Sequence, residues 1–217
     1  MLEKIGKEYY EKLSVPNQLF LEYIRKLKAD TAAAITIAEI GVGIGATAQA
    51  VLQTLDINDQ YYLFDYSDKV EELSAELSRS IPNTPKIIRM GNSRAALDNY
   101  VWSLYNLAVD KRQDTMALFD LVLLDGAHDY TIDLAACALL VNLLKPNGLL
   151  ILDDIYFNVK ALAEHNPLKG KKLKSFYSGL QENAFQIEMI CESFLDCHPA
   201  LQKVAIKDIS IAVYRRK

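Results

Sequence analysis

Five apolar runs, each ending on a glycine or a polar residue, alternate with stretches whose apolar positions recur at helical spacing. The runs are Ala34–Ile40, Tyr61–Asp65, Lys86–Met90, Phe119–Leu124 and the segment after Gly148 that stops at Asp153. Their continuous apolar character fits parallel strands covered on both faces. The stretches between them read as helices: one from about Thr47 to Leu55, one capped by Ser67 and running to about Ser80, one after Gly91-Asn92-Ser93 through Tyr105, and one capped by Thr131 and running to Leu144. Pro82 and Pro85 mark a turn, as does Lys145-Pro146-Asn147-Gly148, and Lys111 to Asp114 reads as a solvated loop. Strands alternating with helices predict an α/β, doubly wound, mostly parallel sheet.

The two ends of the chain depart from this rhythm. Residues 1–30 read as a helical extension, with Ser14-Val15-Pro16 as a start signal and Leu19, Phe20, Ile24 and Leu27 on one face. After residue 156 comes a lysine-rich helical stretch containing Lys169, Lys171, Lys172 and Lys174, whose simplest reading is a solvated helix end. Strand candidates near Phe185–Cys191 and Ile209–Tyr214 are expected to pair as an antiparallel end, giving seven strands. The whole reads as one domain over 1–217: an N-terminal cap (1–30), a cofactor-binding core (34–155), and substrate-side helices with the last two strands (156–217).

Composition narrows the function. A 51% hydrophobic chain of 217 residues builds a full core, and its net charge of -4 gives no bulk attraction to nucleic acid or an anionic membrane. No apolar run is long enough to span a bilayer, and the charged N-terminus does not read as a secretory signal. Cytoplasmic residence is therefore expected. Cys137, Cys191 and Cys197 read as reduced thiols, and the spacing of Cys191, Cys197 and His198 matches no usual zinc pattern. Trp102 and Tyr105 are expected in the core or flanking a cofactor.

The chemistry gathers at strand ends. In an open parallel sheet, ligands bind at the carboxyl ends of the strands. Asp125 closes the fourth strand, and Asp153 and Asp154 close the fifth. Three carboxylates in one cleft raise each other's pKa, and a hard cation such as Mg²⁺ relieves the repulsion. Earlier in the chain, Gly41-Val42-Gly43-Ile44-Gly45 follows the first strand, with its third glycine one residue short of the dinucleotide fingerprint. Asp65 at the end of the second strand suits the ribose hydroxyls of NAD or of another adenosine cofactor.

The loop from Glu39 to Thr47, Asp65, and Gly91-Asn92-Ser93 resemble class I S-adenosylmethionine-dependent methyltransferases. Leu124-Asp125-Gly126-Ala127-His128 and Leu152-Asp153-Asp154 resemble the metal-dependent O-methyltransferases of the catechol, caffeoyl-CoA and macrocin types. The resemblance covers roughly residues 34 to 155. It implies that Glu39, Gly41, Gly43 and Gly45 face the methionine part of the cofactor, that Thr47 binds its carboxylate, and that Asp65 takes the ribose. It further implies that Asn92 and Ser93 flank the adenine, that Asp125, Asp153 and Asp154 hold Mg²⁺, and that Asp125 also borders the cofactor. His128 falls where the catechol branch carries a lysine, and its imidazole is suited to act as the base, with Asp129 a candidate to orient the ring. The expected reaction is Mg-dependent O-methylation of a small phenol, catechol or sugar. Alternatives are a metal-independent methyltransferase, an NAD-dependent oxidoreductase and a non-catalytic scaffold of the same fold. A homodimer through the N-terminal helix is compatible with the pattern.

Overall fold

The computed structural model describes residues 1–81, 85–111, 117–165 and 176–217. Seven strands form one mixed sheet: β1 (Thr36–Ile40), β2 (Gln60–Tyr66), β3 (Lys86–Asn92), β4 (Phe119–Leu124), β5 (Leu144–Leu152), β6 (Leu201–Lys203) and β7 (Ala212–Arg216). Their order is β3-β2-β1-β4-β5-β7-β6. The first five run parallel, and β7 enters antiparallel to both β5 and β6. The order reverses direction between β1 and β4, which opens a crevice at their carboxyl ends.

Alternation along each strand feeds two cores. Ile37, Leu63, Leu121, Leu123, Ile151 and Val213 pack on one face, against α1 (Gln18–Asp30), α2 (Ala46–Leu52) and α3 (Ser67–Ser80). Ala38, Ile40, Phe64, Val122, Leu124 and Leu150 pack on the other, against α4 (Tyr100–Lys111) and α5 (Tyr130–Leu143). Each face buries enough apolar surface to hold its helices without strong intrinsic helix propensity. Asp59, fully buried, ties α1 to the sheet: it accepts from Lys28 Nζ at 2.9 Å, from Ile35 N at 2.9 Å and from Asp56 N at 2.7 Å.

Several elements differ from the sequence reading. Residues 1–17 contain three short 3-10 turns, and the helix begins only at Gln18, because Asn17 rather than Ser14 caps it, its Oδ1 accepting from Phe20 N at 2.9 Å. Ser67 is the first residue of α3, and its hydroxyl donates to Asn92 O at 3.2 Å instead of capping. The cap of α5 is Asp129, which accepts from Thr131 N and Ile132 N, so Thr131 lies inside the helix. Residues Gln186–Ile190 are helical, not a strand; Ile187, Ile190 and Cys191 are buried at helical spacing. The outermost strand is Leu201–Lys203 instead. Trp102 and Tyr105 are exposed on α4, and Tyr100 is the aromatic that this helix buries. Pro82, Arg112 to Asp114 and the Lys169 to Lys174 run lie outside the described residues. Among the described residues, no helix is long and apolar enough to cross a membrane.

Candidate functional site

The parallel hydrogen-bond ladder continues one residue past three strands. Gly41 N donates to Phe64 O at 2.8 Å, Asp125 N to Ile40 O at 2.9 Å, and Asp153 N to Leu124 O at 3.1 Å. This aligns the glycine loop with the two acidic strand ends. Gly41 has φ +88°, and a Cβ there would stand 1.8 Å from the Asp125 carbonyl oxygen, so only glycine permits this approach. Gly43, at φ +52°, has open space where a side chain would be. Gly45 is the N-cap of α2.

A cavity of about 600 Å³ opens at this crevice. Gly41, Gly43, Asp65, Asn92, Asp125 and His128 all line it. Asp65 Oδ2 accepts from Val42 N at 3.1 Å and from the Lys69 ammonium, which fixes the carboxylate at the rim. Asn92 is buried, and its amide donates to Ser93 O at 3.0 Å. Other expected cofactor residues stand apart from the cavity wall. Glu39 is buried beneath the loop and accepts the Tyr61 hydroxyl. Burial, reinforced by the nearby charges of Asp125 and Asp65, pushes its carboxyl up to about 8 against the opposing pull of Tyr61. The Thr47 hydroxyl accepts from Asn17 N at 3.0 Å. Ser93 is exposed, with its N–H donating to Asp98 Oδ2 at 2.6 Å.

An acid cluster meets the cavity through Asp125 and His128, which line it. Asp125, His128 and the exposed Asp154 each offer a potential ligand atom, all within 4.8 Å of one another. His128 Nε2 lies 3.4 Å from Asp125 Oδ1 and 3.7 Å from Asp154 Oδ2. That nitrogen is shielded from solvent and has no hydrogen-bond partner among the described residues. Asp153 takes another part: its Oδ2 accepts from Asn17 Nδ2 at 2.7 Å and its Oδ1 from Asp154 N at 2.8 Å. Burial, then the charges of Asp153 and Asp154, push the Asp125 carboxyl up to about 8. Burial is also the main cause of the upward shift at Asp153.

Both His128 and Asp154 hold positive φ, 55° and 53°, a conformation that side chains other than glycine rarely adopt. Strain of this kind persists where surrounding bonds over-determine it. The supports are visible around His128. The Tyr100 hydroxyl donates to Asp133 and accepts from Ala127 N at 3.0 Å, while Asp133 Oδ2 accepts from Asp129 N at 3.1 Å. The residues on either side of His128 are therefore pinned by one buried pair. Asp129 serves as a helix cap, its Oδ1 accepting from Thr131 N and Ile132 N. The Phe157 ring lies 4.8 Å from the imidazole, centroid to centroid.

Sequence reasoning missed Tyr66, Lys69, Arg94 and Tyr100 at this cavity. Lys69 was signalled by its position four residues after Asp65 on a helix start. Arg94 stacks 4.3 Å above the Tyr66 ring, a contact with no periodic trace in the chain. Cys191, Cys197 and His198 form no metal-ligand group among the described residues.

The pattern of a family described as a methyltransferase domain matches residues 38–155. No curated protein matches the chain. Solved structures share the fold at low identity. The O-methyltransferase from Bacillus cereus, solved with SAH, is 14% identical with a TM-score of 0.54, and the match covers 100% of both chains. The O-methyltransferase TomG from Streptomyces achromogenes, involved in tomaymycin synthesis and solved with SAM, is 13% identical with a TM-score of 0.54, covering 96% of this chain and 94% of that one. MycE methyltransferase of the mycinamycin biosynthetic pathway, solved with Mg and SAH, is 16% identical with a TM-score of 0.53, covering 90% of this chain and 48% of that one.

Proposed function

The chain belongs to the methyltransferase domain family, and from that premise we propose that it moves the methyl group of S-adenosylmethionine onto a hydroxyl of a small acceptor, a phenol, catechol or sugar, at a site holding a divalent cation. One observation carries this reading: a single cavity runs from the glycine loop and Asp65 to Asp125 and His128. An adenosine cofactor laid along the loop would have its ribose held by Asp65, leaving Asp125 and His128 to face its reactive end.

The residues fit a cation. Asp125 and Asp154 offer oxygens within 4.8 Å of the shielded His128 Nε2, which has no hydrogen-bond partner among the described residues. Carboxylates favour a hard ion such as Mg²⁺. Its charge would offset the mutual repulsion of the acids and lower the pKa of an acceptor hydroxyl. S-adenosylmethionine supplies a methyl that is already electrophilic. What remains for the protein is alignment and removal of one proton. His128 Nε2, without a hydrogen-bond partner among the described residues, is the group that takes it, and the Phe157 ring lies 4.8 Å from the imidazole. Lys69 and Val42 N hold Asp65 for the ribose, and Tyr100 with Asp133 keeps the His128 loop in place.

A second reading of His128 has its own support. Its Nε2 lies within ligand reach of the same point as the Asp125 and Asp154 oxygens. As a third ligand it would favour a softer ion such as Mn²⁺ and leave the proton to a carboxylate.

Calorimetric titration tests the proposal. Binding of S-adenosylhomocysteine, with no binding of NAD, and turnover abolished by EDTA and restored by Mg²⁺, is the expected pattern. NAD binding without S-adenosylhomocysteine binding would indicate an oxidoreductase. Activity that survives EDTA would indicate a metal-independent enzyme. Cofactor binding with no turnover on hydroxylated acceptors would indicate a scaffold.

A further inference from the structure

Asn17 touches the N-terminal helix, the cofactor-side helix and the acidic end of β5. Its backbone N–H donates to Thr47 Oγ1 at 3.0 Å. Its Oδ1 caps α1 by accepting from Phe20 N at 2.9 Å, and its carbonyl accepts from Leu21 N at 3.3 Å. With the oxygen committed to the cap, the amide nitrogen is aimed outward, and it donates to Asp153 Oδ2 at 2.7 Å. Asp153 in turn accepts from Asp154 N at 2.8 Å, at the residue whose φ is 53°. A chain of two hydrogen bonds therefore runs from the helix cap to the strained backbone that presents the Asp154 carboxylate.

We infer that Asn17 is a positioning residue for the cation site, acting through Asp153 to hold Asp154 beside Asp125 and His128. Asn17 touches neither Asp125 nor His128. Its own place is fixed by Thr47 and by the cap, independently of Asp153, so its amide is a rigid donor. Without that donor, Asp153 is free to turn toward its neighbours and the Asp154 backbone loses its brace. The N-terminal segment thereby becomes part of the site, though no cavity-lining group of the acid cluster comes from it. This inference rests on the proposed cation site.

The Asn17→Ser variant separates the roles, because serine caps a helix about as well as asparagine but cannot reach Asp153. The probe is Mn²⁺, titrated by electron paramagnetic resonance into the protein with S-adenosylhomocysteine bound. N17S is expected to weaken Mn²⁺ binding about tenfold, the size typical for groups that orient ligands. The S-adenosylhomocysteine affinity should stay at its wild-type value. In an Asp153→Ala background, the same change should cost nothing further, since the path through Asp153 is already cut. Wild-type Mn²⁺ affinity in N17S, an undiminished loss in the D153A background, or an equal loss of S-adenosylhomocysteine affinity would each overturn the inference. A wild-type protein that takes up no Mn²⁺ removes the cation site itself, a result distinct from uptake that N17S leaves unchanged.

Discussion

His128 Nε2 stands 3.4 Å from Asp125 Oδ1, close enough to feel its charge and bonded to nothing among the described residues. A shielded polar atom without a partner is costly, and proteins keep such atoms mostly where a ligand or a proton completes them. His128→Ala should therefore lower turnover by about 10²- to 10⁴-fold, the usual contribution of a positioned base. S-adenosylhomocysteine affinity, followed by calorimetry, should change little. If Mg²⁺ affinity falls in parallel with turnover, the imidazole is a ligand and not the base.

The Tyr100 hydroxyl both donates to Asp133 and accepts from Ala127 N. Tyr100→Phe removes the acceptor of the Ala127 N–H and strands a buried carboxylate oxygen of Asp133. Unfolding experiments should show a loss of about 1–3 kcal/mol. Turnover should fall further than cofactor affinity, because the loop that carries His128 is loosened. Unchanged stability would mean that the pair contributes nothing to holding that loop.

Gly41 has its missing side chain directed at the Asp125 carbonyl, 1.8 Å away, with φ at +88°. Gly41→Ala should force the β1 and β4 ends apart. Loss of S-adenosylhomocysteine binding and a lowered melting temperature are expected together. Retention of normal binding would show that the two strand ends need not touch.

Glu39 gives a pH dependence of defined sign. Its folded pKa of about 8 lies above the ordinary 4.5, chiefly through burial. Between those values the folded protein keeps a proton that the unfolded chain has released. This group's contribution to stability therefore declines as pH rises from about 4.5 to about 8, and is constant above that range. Glu39→Gln removes the titration while preserving an acceptor for Tyr61. The melting temperature of the variant relative to wild type should rise between pH 5 and pH 9 in ligand-free protein. A constant offset across that range would contradict the assignment.

The parallel core was readable because the central strands β1, β2, β4 and β5 are buried over most of their length, which leaves runs such as Leu121 to Leu124 with no polar interruption. The acids at Asp125 and Asp153 stood out for the converse reason, as charges ending such runs. Boundaries set by single side-chain bonds were not readable. Asn17, Asp129 and Ser67 are all competent caps, and only the path of the neighbouring chain decides which one serves. The short helix Gln186–Ile190 looked like a strand because Phe185, Ile187 and Met189 alternate with the polar Gln186 and Glu188. At the site, Asp125 and Asp154 share a point with His128, while Asp153 turns to Asn17, a residue more than a hundred positions away in the chain. Neighbours in sequence said nothing of that division of labour.

A crystal grown with S-adenosylhomocysteine and Mn²⁺, with anomalous scattering recorded for the ion, is the most direct test of a methyl donor and a cation sharing one crevice. The cofactor should lie along Gly41 to Gly45 with its ribose on Asp65, and one anomalous peak should fall within coordination distance of Asp125 and Asp154. A cofactor bound away from Asp65, or an ion found only at sites remote from Asp125, would contradict the proposed chemistry.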